Sequence, residues 1–153
     1  MMDGLESKDL VITKMQPQDA AEAAVLEARI FTVPWSENGF RSALDSKDTL
    51  YLTARENGKL VGYCGFWQSF DEADITNVAV DESCRKRGVG YRMLHELMHL
   101  GRERGVLRYT LEVRVGNTAA IHLYEKLGFA SAGVRKNFYE KPREDALIMW
   151  TEP

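Results

Sequence analysis

A glycine-containing segment in the middle of the chain has the residue types of an anion-binding site. Val78-Ala79-Val80 is typical of a strand end, and Arg85-Lys86-Arg87-Gly88-Val89-Gly90-Tyr91 precedes a helical stretch. A strand, a Gly-x-Gly turn and a helix start direct several unpaired backbone N–H groups at one point, where the helix dipole adds positive potential. Glycine lets the backbone approach a ligand closely. The pattern predicts a site for a phosphate-bearing ligand, reinforced by the three basic residues.

Other interpretations of this segment stay open from the residues alone. A Walker A loop requires Lys and Ser or Thr after its last glycine, whereas Tyr91-Arg92 follows Gly90. A Rossmann fingerprint expects a glycine where Met93 stands, although Glu112 has about the spacing of its ribose-binding carboxylate. A solvated basic helix cap needs no ligand. A nucleic-acid patch built on three basic residues in a chain of net charge −3 would bind weakly and with strong salt dependence.

Two further motifs would carry chemistry in other contexts. His95-Glu96-Leu97-Met98-His99 fits the His-Glu-x-x-His pattern of zinc hydrolases. The apolar positions of this helix predict a buried stripe that leaves both histidines toward its polar side: Val89, Met93, Leu97 and Leu100. Cys84 lies beside Arg85, which favours a thiolate, but the sequence places no histidine base near it. We therefore predict no metal site and a passive Cys84 thiol.

The elements that position these residues alternate between strands and helices. We predict strands over Leu10–Met15, Thr49–Arg55, Lys59–Gln68, Ala73–Val80, Leu107–Arg114, Phe129–Lys136 and Ala146–Thr151. We predict helices over Ala20–Phe31, Glu37–Leu44 with Ser36 as N-cap, Gly88–Arg104, and a last one that Asn117 caps and that ends at Leu127. Asn57-Gly58 predicts a tight hairpin. Antiparallel N-terminal strands followed by strand–helix–strand–helix–strand indicate a mixed α/β sheet.

Two strands have informative faces. In Lys59–Gln68 both faces are apolar, with Leu60, Cys64 and Phe66 opposite Val61, Tyr63 and Trp67, which predicts a central strand. In Leu107–Arg114 the apolar residues share one face, which puts Glu112 on the other face with Thr110. A carboxylate between apolar neighbours is costly unless it has a partner. Glu112 is therefore either a functional group or a solvent-facing charge paired with Arg114.

Composition narrows the class of protein. The 153 residues predict one domain over 1–153, with about residues 1–9 as an N-terminal extension. The chain lacks an 18-residue apolar run, and its acidic start lacks the apolar stretch of a secretory signal. Two cysteines are too few for a disulfide framework and suit a reducing compartment. These features predict a cytoplasmic protein without a membrane partner.

The Arg-x-x-Gly-x-Gly loop after a Val-x-Val strand, together with the order of elements, resembles the Gcn5-related N-acetyltransferase (GNAT) superfamily. Further segments resemble its RimI-type ribosomal-protein alanine N-acetyltransferases: Pro34-Trp35-Ser36, Leu111-Glu112-Val113-Arg114, Asn117-Thr118-Ala119-Ala120, Leu123-Tyr124-Glu125-Lys126-Leu127-Gly128-Phe129, Arg135-Lys136-Asn137-Phe138-Tyr139 and Arg143-Glu144-Asp145-Ala146. The resemblance extends from about Leu10 to Trp150. It implies the GNAT fold and transfer of an acetyl group from acetyl-CoA to the N-terminal alanine of a small-subunit ribosomal protein. Other protein N-termini, a lysine or a small amine are alternative acceptors.

The same resemblance implies where acetyl-CoA binds. The amides from Arg87 to Tyr91, including Gly88, Val89 and Gly90, would hold the pyrophosphate, with Arg85 and Lys86 beside them. The main chain of Val78, Ala79 and Val80 would pair with the pantetheine arm and polarise the thioester. Asn117 would contact the cofactor as well as cap its helix. No metal and no direct nucleic-acid contact are implied.

The resemblance also implies the catalytic and acceptor residues. Glu112 would be the general base, acting through a water, and Tyr124 would be the general acid that protonates the leaving thiolate. Trp35, Phe138 and Tyr139 would line the acceptor site. Relatives commonly have two tyrosines where this chain has Phe138-Tyr139, so one hydroxyl is missing from the acceptor wall.

Overall fold

A computed structural model describes residues 10–85 and 87–153; the predicted N-terminal extension and Lys86 lie outside the described residues. Within these ranges the strands are β1 (Leu10–Lys14), β2 (Thr49–Glu56), β3 (Lys59–Ser69), β4 (Glu72–Val80), β5 (Arg108–Arg114), β6 (Ala130–Glu140) and β7 (Arg143–Trp150). The helices are α1 (Ala20–Ile30), α2 (Glu37–Leu44), α3 (Val89–Glu103) and α4 (Thr118–Lys126). Short 3-10 turns cover Pro17–Asp19 and Glu82–Cys84. The predicted mixed α/β class is confirmed.

The strands form one sheet in the order β1-β2-β3-β4-β5-β7-β6. All neighbouring strands run antiparallel except β4 and β5, which are parallel. The predicted hairpin between β2 and β3 is confirmed, because Asn57 and Gly58 both adopt positive φ, at 53° and 83°. Ser36 caps α2 as predicted, its hydroxyl accepting a hydrogen bond from the Gly39 N–H at 3.1 Å.

The two faces of the sheet pack against different helices. One face packs against α3 and α4 through a core that includes Phe66, Met93, Leu97, Leu111 and Tyr124. The opposite face packs against α1 and α2 through a core that includes Ala23, Leu26, Phe40, Tyr51 and Tyr63. Among the described residues, no helix has the length and apolarity needed to cross a membrane.

Three details of the predicted faces are wrong. A bulge in β3, where Ala54 pairs with Gly62 and Arg55 with Leu60, turns Leu60 to the α1–α2 side and Val61 to the α3 side. β3 is central, but Trp67 near its end is 51% exposed because the helices leave that end of the face open. Leu107 is also exposed rather than part of the buried face of β5, since it lies before the first residue of that strand.

Candidate active site

β4 and β5 form a fork in the middle of the sheet. They pair only from Glu72 with Arg108 to Asp74 with Thr110. Beyond those residues β4 continues to Val80 and β5 to Arg114 with no further pairing between them in the described structure. The facing edge of each strand therefore keeps backbone N–H and C=O groups available to an extended ligand. The predicted pantetheine-binding residues Val78, Ala79 and Val80 lie on this free part of β4.

A bulge at Thr76 helps to separate the two strands. Gly65 of β3 pairs with Asn77, whereas Phe66 pairs with Ile75, so Thr76 is the extra residue on β4. The buried Tyr51 hydroxyl lies 2.8 Å from the Thr76 hydroxyl and donates to Asn77 Oδ1 at 3.0 Å. Tyr51 thus holds the bulge in place from the α1–α2 side of the sheet, a role that the sequence did not indicate.

The N-terminus of α3 lies at the open end of the fork. Gly88 is the N-cap residue with a φ of 83°, and no side chain among the described residues caps this end. Because a helix leaves its first N–H groups without acceptors, the amides of Val89, Gly90 and Tyr91 point outward. A Cβ on Gly90 would come within 3.1 Å of the Leu123 side chain and 3.6 Å of the Val80 side chain. The helix end, β4 and α4 are therefore packed closely around an uncapped anion site.

Arg85 and Arg87, the described basic residues of the loop, contact protein groups. Arg85 Nε donates to the Val80 carbonyl at 3.2 Å, and the Arg87 guanidinium forms an ion pair with Glu56. The buried Asp81 accepts hydrogen bonds from the Ser83 N–H and hydroxyl and an ion pair from Arg29 at 2.9 Å. The Ser83 bonds, followed by Arg29, lower the pKa of Asp81. These contacts hold the loop in place and keep positive charge next to it. Direct phosphate contacts by Arg85 and Arg87 stay a prediction.

Glu112 lies on β5 beside the fork. It shares a face with Thr110, as predicted, and its side chain is 24% exposed. Its charged partner is Arg135 of β6, with 3.8 Å between Arg135 Nη2 and Glu112 Oε2. The suggested pairing with Arg114 is wrong, because Arg114 binds Glu144 at 3.2 Å and the backbone carbonyls of the β6–β7 turn. No hydrogen bond to the Glu112 carboxylate occurs within the described residues, so it can accept one from a water or a ligand.

A second carboxyl group, Asp74, faces Glu112 across the fork. Asp74 pairs with Thr110, two residues before Glu112, and side chains that pair in this way lie on one face. Burial raises the pKa of Asp74 to about 6, the charge of Glu112 adds to the rise and Arg135 opposes it. Asp74 is not among the site residues predicted from the sequence. A charge inside the predicted strand was the available signal, but only the register of β4 on β5 places it near Glu112.

Tyr124 is buried on α4, with its ring centroid 5.8 Å from that of Phe129. Burial, then the nearby Tyr139 of β6 and Cys64 of β3, raise the pKa of its hydroxyl above the usual range. These two neighbours stand on strands from either side of the fork. No group in the described ranges hydrogen-bonds to it. A neutral, unpaired phenol at this position is a suitable proton donor.

The predicted acceptor residues lie on one loop and one strand: Trp35 on the α1–α2 connection, and Phe138 and Tyr139 on β6. Trp35, in the α1–α2 connection, packs its ring against Phe40 and Tyr51 at centroid distances of 5.3 and 6.2 Å. Its backbone N–H donates at 3.1 Å to the buried carboxylate of Glu27, which also accepts the Tyr63 hydroxyl. Much of the Trp35 ring therefore belongs to the core, and the loop that carries it is anchored from α1.

Phe138 and Tyr139 lie at an irregular part of β6. Between Arg135 and Tyr139 the strand gains residues relative to β7, and Asn137 has a φ of 53°. Phe138 is 40% exposed and packs edge-on against Tyr139 at 5.0 Å. Arg135 lies over the Phe138 ring and Arg114 over the Tyr139 ring, at 5.3 and 4.3 Å. This arrangement presents an aromatic surface next to Glu112.

The α1–α2 connection and the β6–β7 turn meet beside the fork. The Thr32 hydroxyl in the α1–α2 connection donates to the Lys141 carbonyl in the β6–β7 turn. This contact joins the parts of the chain that carry Trp35 and Phe138-Tyr139. The fork is therefore bordered by the uncapped α3 end at its open end and by this loop bridge on the α1–α2 side.

Asn117, the two histidines of the His-Glu-x-x-His segment and Cys84 all contact other protein groups. The Asn117 side chain accepts from the Ala120 N–H at 3.2 Å, which confirms the predicted cap; its contact with the cofactor stays a prediction. His95 stacks on Tyr91, and His99 lies 3.5 Å from Glu103. Over the described ranges, no group of three or more His, Cys, Asp or Glu side chains could hold a metal ion. The Cys84 sulfur is buried between Glu56 and Arg87.

Comparison with known proteins decides among the interpretations of the glycine loop. The model of the acetyltransferase (GNAT) family matches residues 20–129. The chain belongs to the GNAT family. It is an N-acetyltransferase, and the acetyl donor of this family is acetyl-CoA. The predicted fold and superfamily are confirmed, and the Rossmann and Walker alternatives are excluded.

Individual relatives narrow this family further. The chain is 38% identical to the ribosomal protein bS18-alanine N-acetyltransferase of Escherichia coli strain K12; the alignment covers 90% of this chain and 94% of that protein. It is 35% identical to the N-alpha-acetyltransferase RimI of Mycobacterium tuberculosis; that alignment covers 94% of this chain and 93% of that protein. The crystal structure of the ribosomal-protein-S18-alanine N-acetyltransferase from Escherichia coli superposes with a TM-score of 0.85, covering 94% of this chain and 93% of that one at 36% identity. The predicted RimI-type resemblance is confirmed.

Acetyl-CoA fits the site that this GNAT enzyme presents. Its pyrophosphate needs outward amides and positive potential, which the uncapped N-terminus of α3 provides. Its pantetheine arm carries amide groups that need a strand edge, which the free part of β4 provides. The thioester would then lie in the fork, between the residues predicted to act as base and acid.

Proposed function

We propose that this GNAT enzyme acetylates the N-terminal alanine of a small-subunit ribosomal protein. The names of its relatives in Escherichia coli and Mycobacterium tuberculosis support an N-terminal acceptor. The observation that carries the proposal is the position of Glu112, a partly buried carboxylate with one loose ion pair at the edge of the fork. A carboxylate in that position can take a proton from an amine that enters from the α1–α2 side.

The strength of a carboxylate base favours an α-amine as acceptor. A lysine amine has a pKa of about 10.4, and making it neutral at pH 7 costs about 4.6 kcal/mol. An α-amine with a pKa near 8 costs only about 1.4 kcal/mol. A single carboxylate with moderate basicity is therefore adequate for a protein N-terminus. Other N-termini, a lysine or a small amine remain the alternative acceptors that the experiment below separates.

In the proposed reaction the acceptor nitrogen attacks the thioester carbonyl. Glu112 accepts the proton of the acceptor amine, through a bridging water. A C–N bond forms, the C–S bond breaks, and the Tyr124 hydroxyl donates its proton to the departing thiolate. Tyr124 then regains a proton from solvent, and Glu112 releases one to solvent. Backbone groups on the free part of β4, at Val78 to Val80, stabilise the oxyanion.

The acceptor residues contribute orientation. Phe138 and Tyr139 present an aromatic surface beside Glu112, and the bridge between Thr32 and Lys141 fixes this surface relative to the α1–α2 loop. A small first residue such as alanine fits beside aromatic walls. Phe138 lacks the hydroxyl that relatives commonly have, so this wall makes one polar contact fewer with the acceptor backbone.

Mass spectrometry of acetylated products tests the proposal. Purified small-subunit ribosomal proteins, free of N-terminal acetylation, are incubated with the enzyme and acetyl-CoA, and tryptic peptides are analysed. We expect one N-terminal alanine to be acetylated by the wild type and hardly at all by Glu112→Gln in the same time. Acetylation confined to lysine side chains, or transfer only to small amines added as competitors, would contradict the proposed acceptor.

A further inference from the structure

A row of side chains crosses the open face of the sheet next to the fork. Trp67 of β3 pairs with Asp74 of β4, which pairs with Thr110 of β5, which pairs with Trp150 of β7. Paired residues point to the same side, so all four side chains lie on one face. This is the α1–α2 face. Trp67 is four residues after Tyr63 on β3, so the two side chains point to the same side, and Tyr63 belongs to the core on the α1–α2 face. Trp67 and Trp150 are 51% and 41% exposed.

Asp74 lacks a cation of its own in this row. Within the described residues, its carboxyl group forms no hydrogen bond and no ion pair. The titratable groups near it are Tyr51 from β2, Glu112 from β5 and Arg135 from β6, and Arg135 is the ion-pair partner of Glu112. One row further out, Glu72 and Arg108 pair with each other at 3.7 Å. A half-buried carboxyl group beside another carboxylate is unfavourable unless a cation joins it.

The reacting amine is not the cation that Asp74 lacks, because that amine must lose its proton. A carboxylate devoted to the acceptor ammonium would stabilise the protonated form and oppose attack on the thioester. Asp74 and Glu112 are offset by two residues in the direction of the strands, which corresponds to about 6.6 Å. An extended acceptor chain covers that distance in about two residues.

We propose that Trp67 and Asp74 form a subsite for a lysine or arginine side chain that follows the acetylated residue of the acceptor. The inference rests on the proposed protein N-terminal acceptor and narrows it to N-termini with an early basic residue. The Asp74 carboxylate neutralises the cation, and the exposed Trp67 indole offers a ring face for a cation–π contact. Trp150, at the other end of the row, already has Arg108 over its ring at 4.7 Å.

Kinetics with synthetic acceptor peptides test the subsite. The peptides begin with alanine in a neutral glycine-serine background, and a single arginine is moved from the second to the fifth position. The measured quantity is the ratio of kcat/KM for each arginine peptide to kcat/KM for the neutral peptide. We expect one arginine position to raise wild-type kcat/KM about tenfold, as a partly exposed ion pair with a cation–π contact would.

Variants identify the residues responsible. In Asp74→Asn and Trp67→Leu the ratio should fall to about one, and in Asp74→Lys a glutamate at the same peptide position should be preferred over arginine. Asp71→Asn, in the exposed β3–β4 turn, and Trp150→Leu are the matched controls that should keep the wild-type ratio. The ratio compares two peptides on one enzyme, so a partly destabilised variant still reports on the subsite.

The outcomes separate this inference from the proposed function. A wild-type ratio near one at every position, with good acetylation of the neutral peptide, would overturn the subsite alone. A tenfold ratio that persists in both Asp74→Asn and Trp67→Leu would also overturn it. If no alanine peptide of either kind were acetylated while other amines were, both the acceptor and the subsite would be wrong.

Discussion

The carboxylate of Glu112 and the guanidinium of Arg135 are 3.8 Å apart, on strands separated by β7. At this distance the two side chains form an ion pair without a direct hydrogen bond. The Glu112 carboxylate oxygens make no hydrogen bond within the described residues, so they remain open to a water or a ligand. This relationship is the basis for the proposed role of Glu112 as general base.

Glu112→Gln should retain acetyl-CoA binding and lose about 10²–10⁴ in kcat/KM, the usual contribution of a general base. The loss should become smaller as pH rises toward the pKa of the acceptor amine, because more acceptor arrives already neutral. The measurement is kcat/KM against pH for an alanine peptide. A rate close to wild type at pH 7 would return Glu112 to a structural role.

Tyr124→Phe should also bind acetyl-CoA but stay slow at high pH. Its missing function is protonation of the thiolate, which a more basic medium does not replace. Its hydroxyl makes no hydrogen bond within the described residues and is not a buried unsatisfied group, so its loss should change the unfolding free energy by less than about 1 kcal/mol. The same pH series distinguishes the two variants. A Tyr124→Phe deficit that disappears at high pH would contradict its assignment as acid.

Gly88→Asp should abolish the rise in melting temperature that CoA causes in the wild type. The aspartate would occupy the N-cap position with a φ of 83° and bring negative charge to the pyrophosphate site. Gly105→Asp is the matched control, since Gly105 has a φ of 89° beyond the other end of α3. We expect both variants to be destabilised by strain of about 1 kcal/mol and only Gly105→Asp to keep the CoA shift. An equal CoA shift in both would remove the loop from the binding site.

Asp74→Asn should raise the melting temperature at neutral pH and not at acid pH. Folding raises the pKa of Asp74 from 3.8 to about 6, so the folded state disfavours the ionised form. This destabilisation is absent below about pH 4, develops as pH rises through about 6 and is complete above it. Asparagine never ionises and avoids it. Melting curves of the acceptor-free enzyme between pH 4 and pH 8 provide the measurement, and a constant difference would contradict the assignment.

Glu27→Ala should destabilise the fold by about 3 kcal/mol, because it leaves the Trp35 N–H and the buried Tyr63 hydroxyl without their acceptor. It should also raise KM for the acceptor more than KM for acetyl-CoA, since it releases the α1–α2 loop. Glu22→Ala on the same helix is the control; its partly exposed pair with Arg55 should contribute at most about 1 kcal/mol. Urea unfolding of both variants measures the difference. Equal destabilisation would mean that the buried carboxylate does not anchor the loop.

The sequence by itself determined the elements and the identity of the family. Local signals sufficed where the physics is local: Asn57-Gly58 needs positive φ, Ser36 and Asn117 accept N–H groups of their own helices, and the Gly88–Gly90 turn opens α3. Alternation of apolar and polar residues placed Glu112 opposite the buried face of β5 because side chains in a strand alternate strictly. The motifs around these positions were specific enough to identify a GNAT enzyme.

Tertiary structure alone decided which distant residues share the site. A bulge in β3 exchanges the sides on which Leu60 and Val61 point relative to strict alternation, and the sequence pattern does not show this bulge. The partner of Glu112 is Arg135 rather than the sequence neighbour Arg114, because β7 inserts between β5 and β6 and brings a later strand within reach. The position of Asp74 beside Trp67 depends on the register of β3 with β4, and its position near Glu112 depends on the register of β4 with β5. Register between strands distant in sequence is set by the packing of the whole sheet, and no local pattern encodes it.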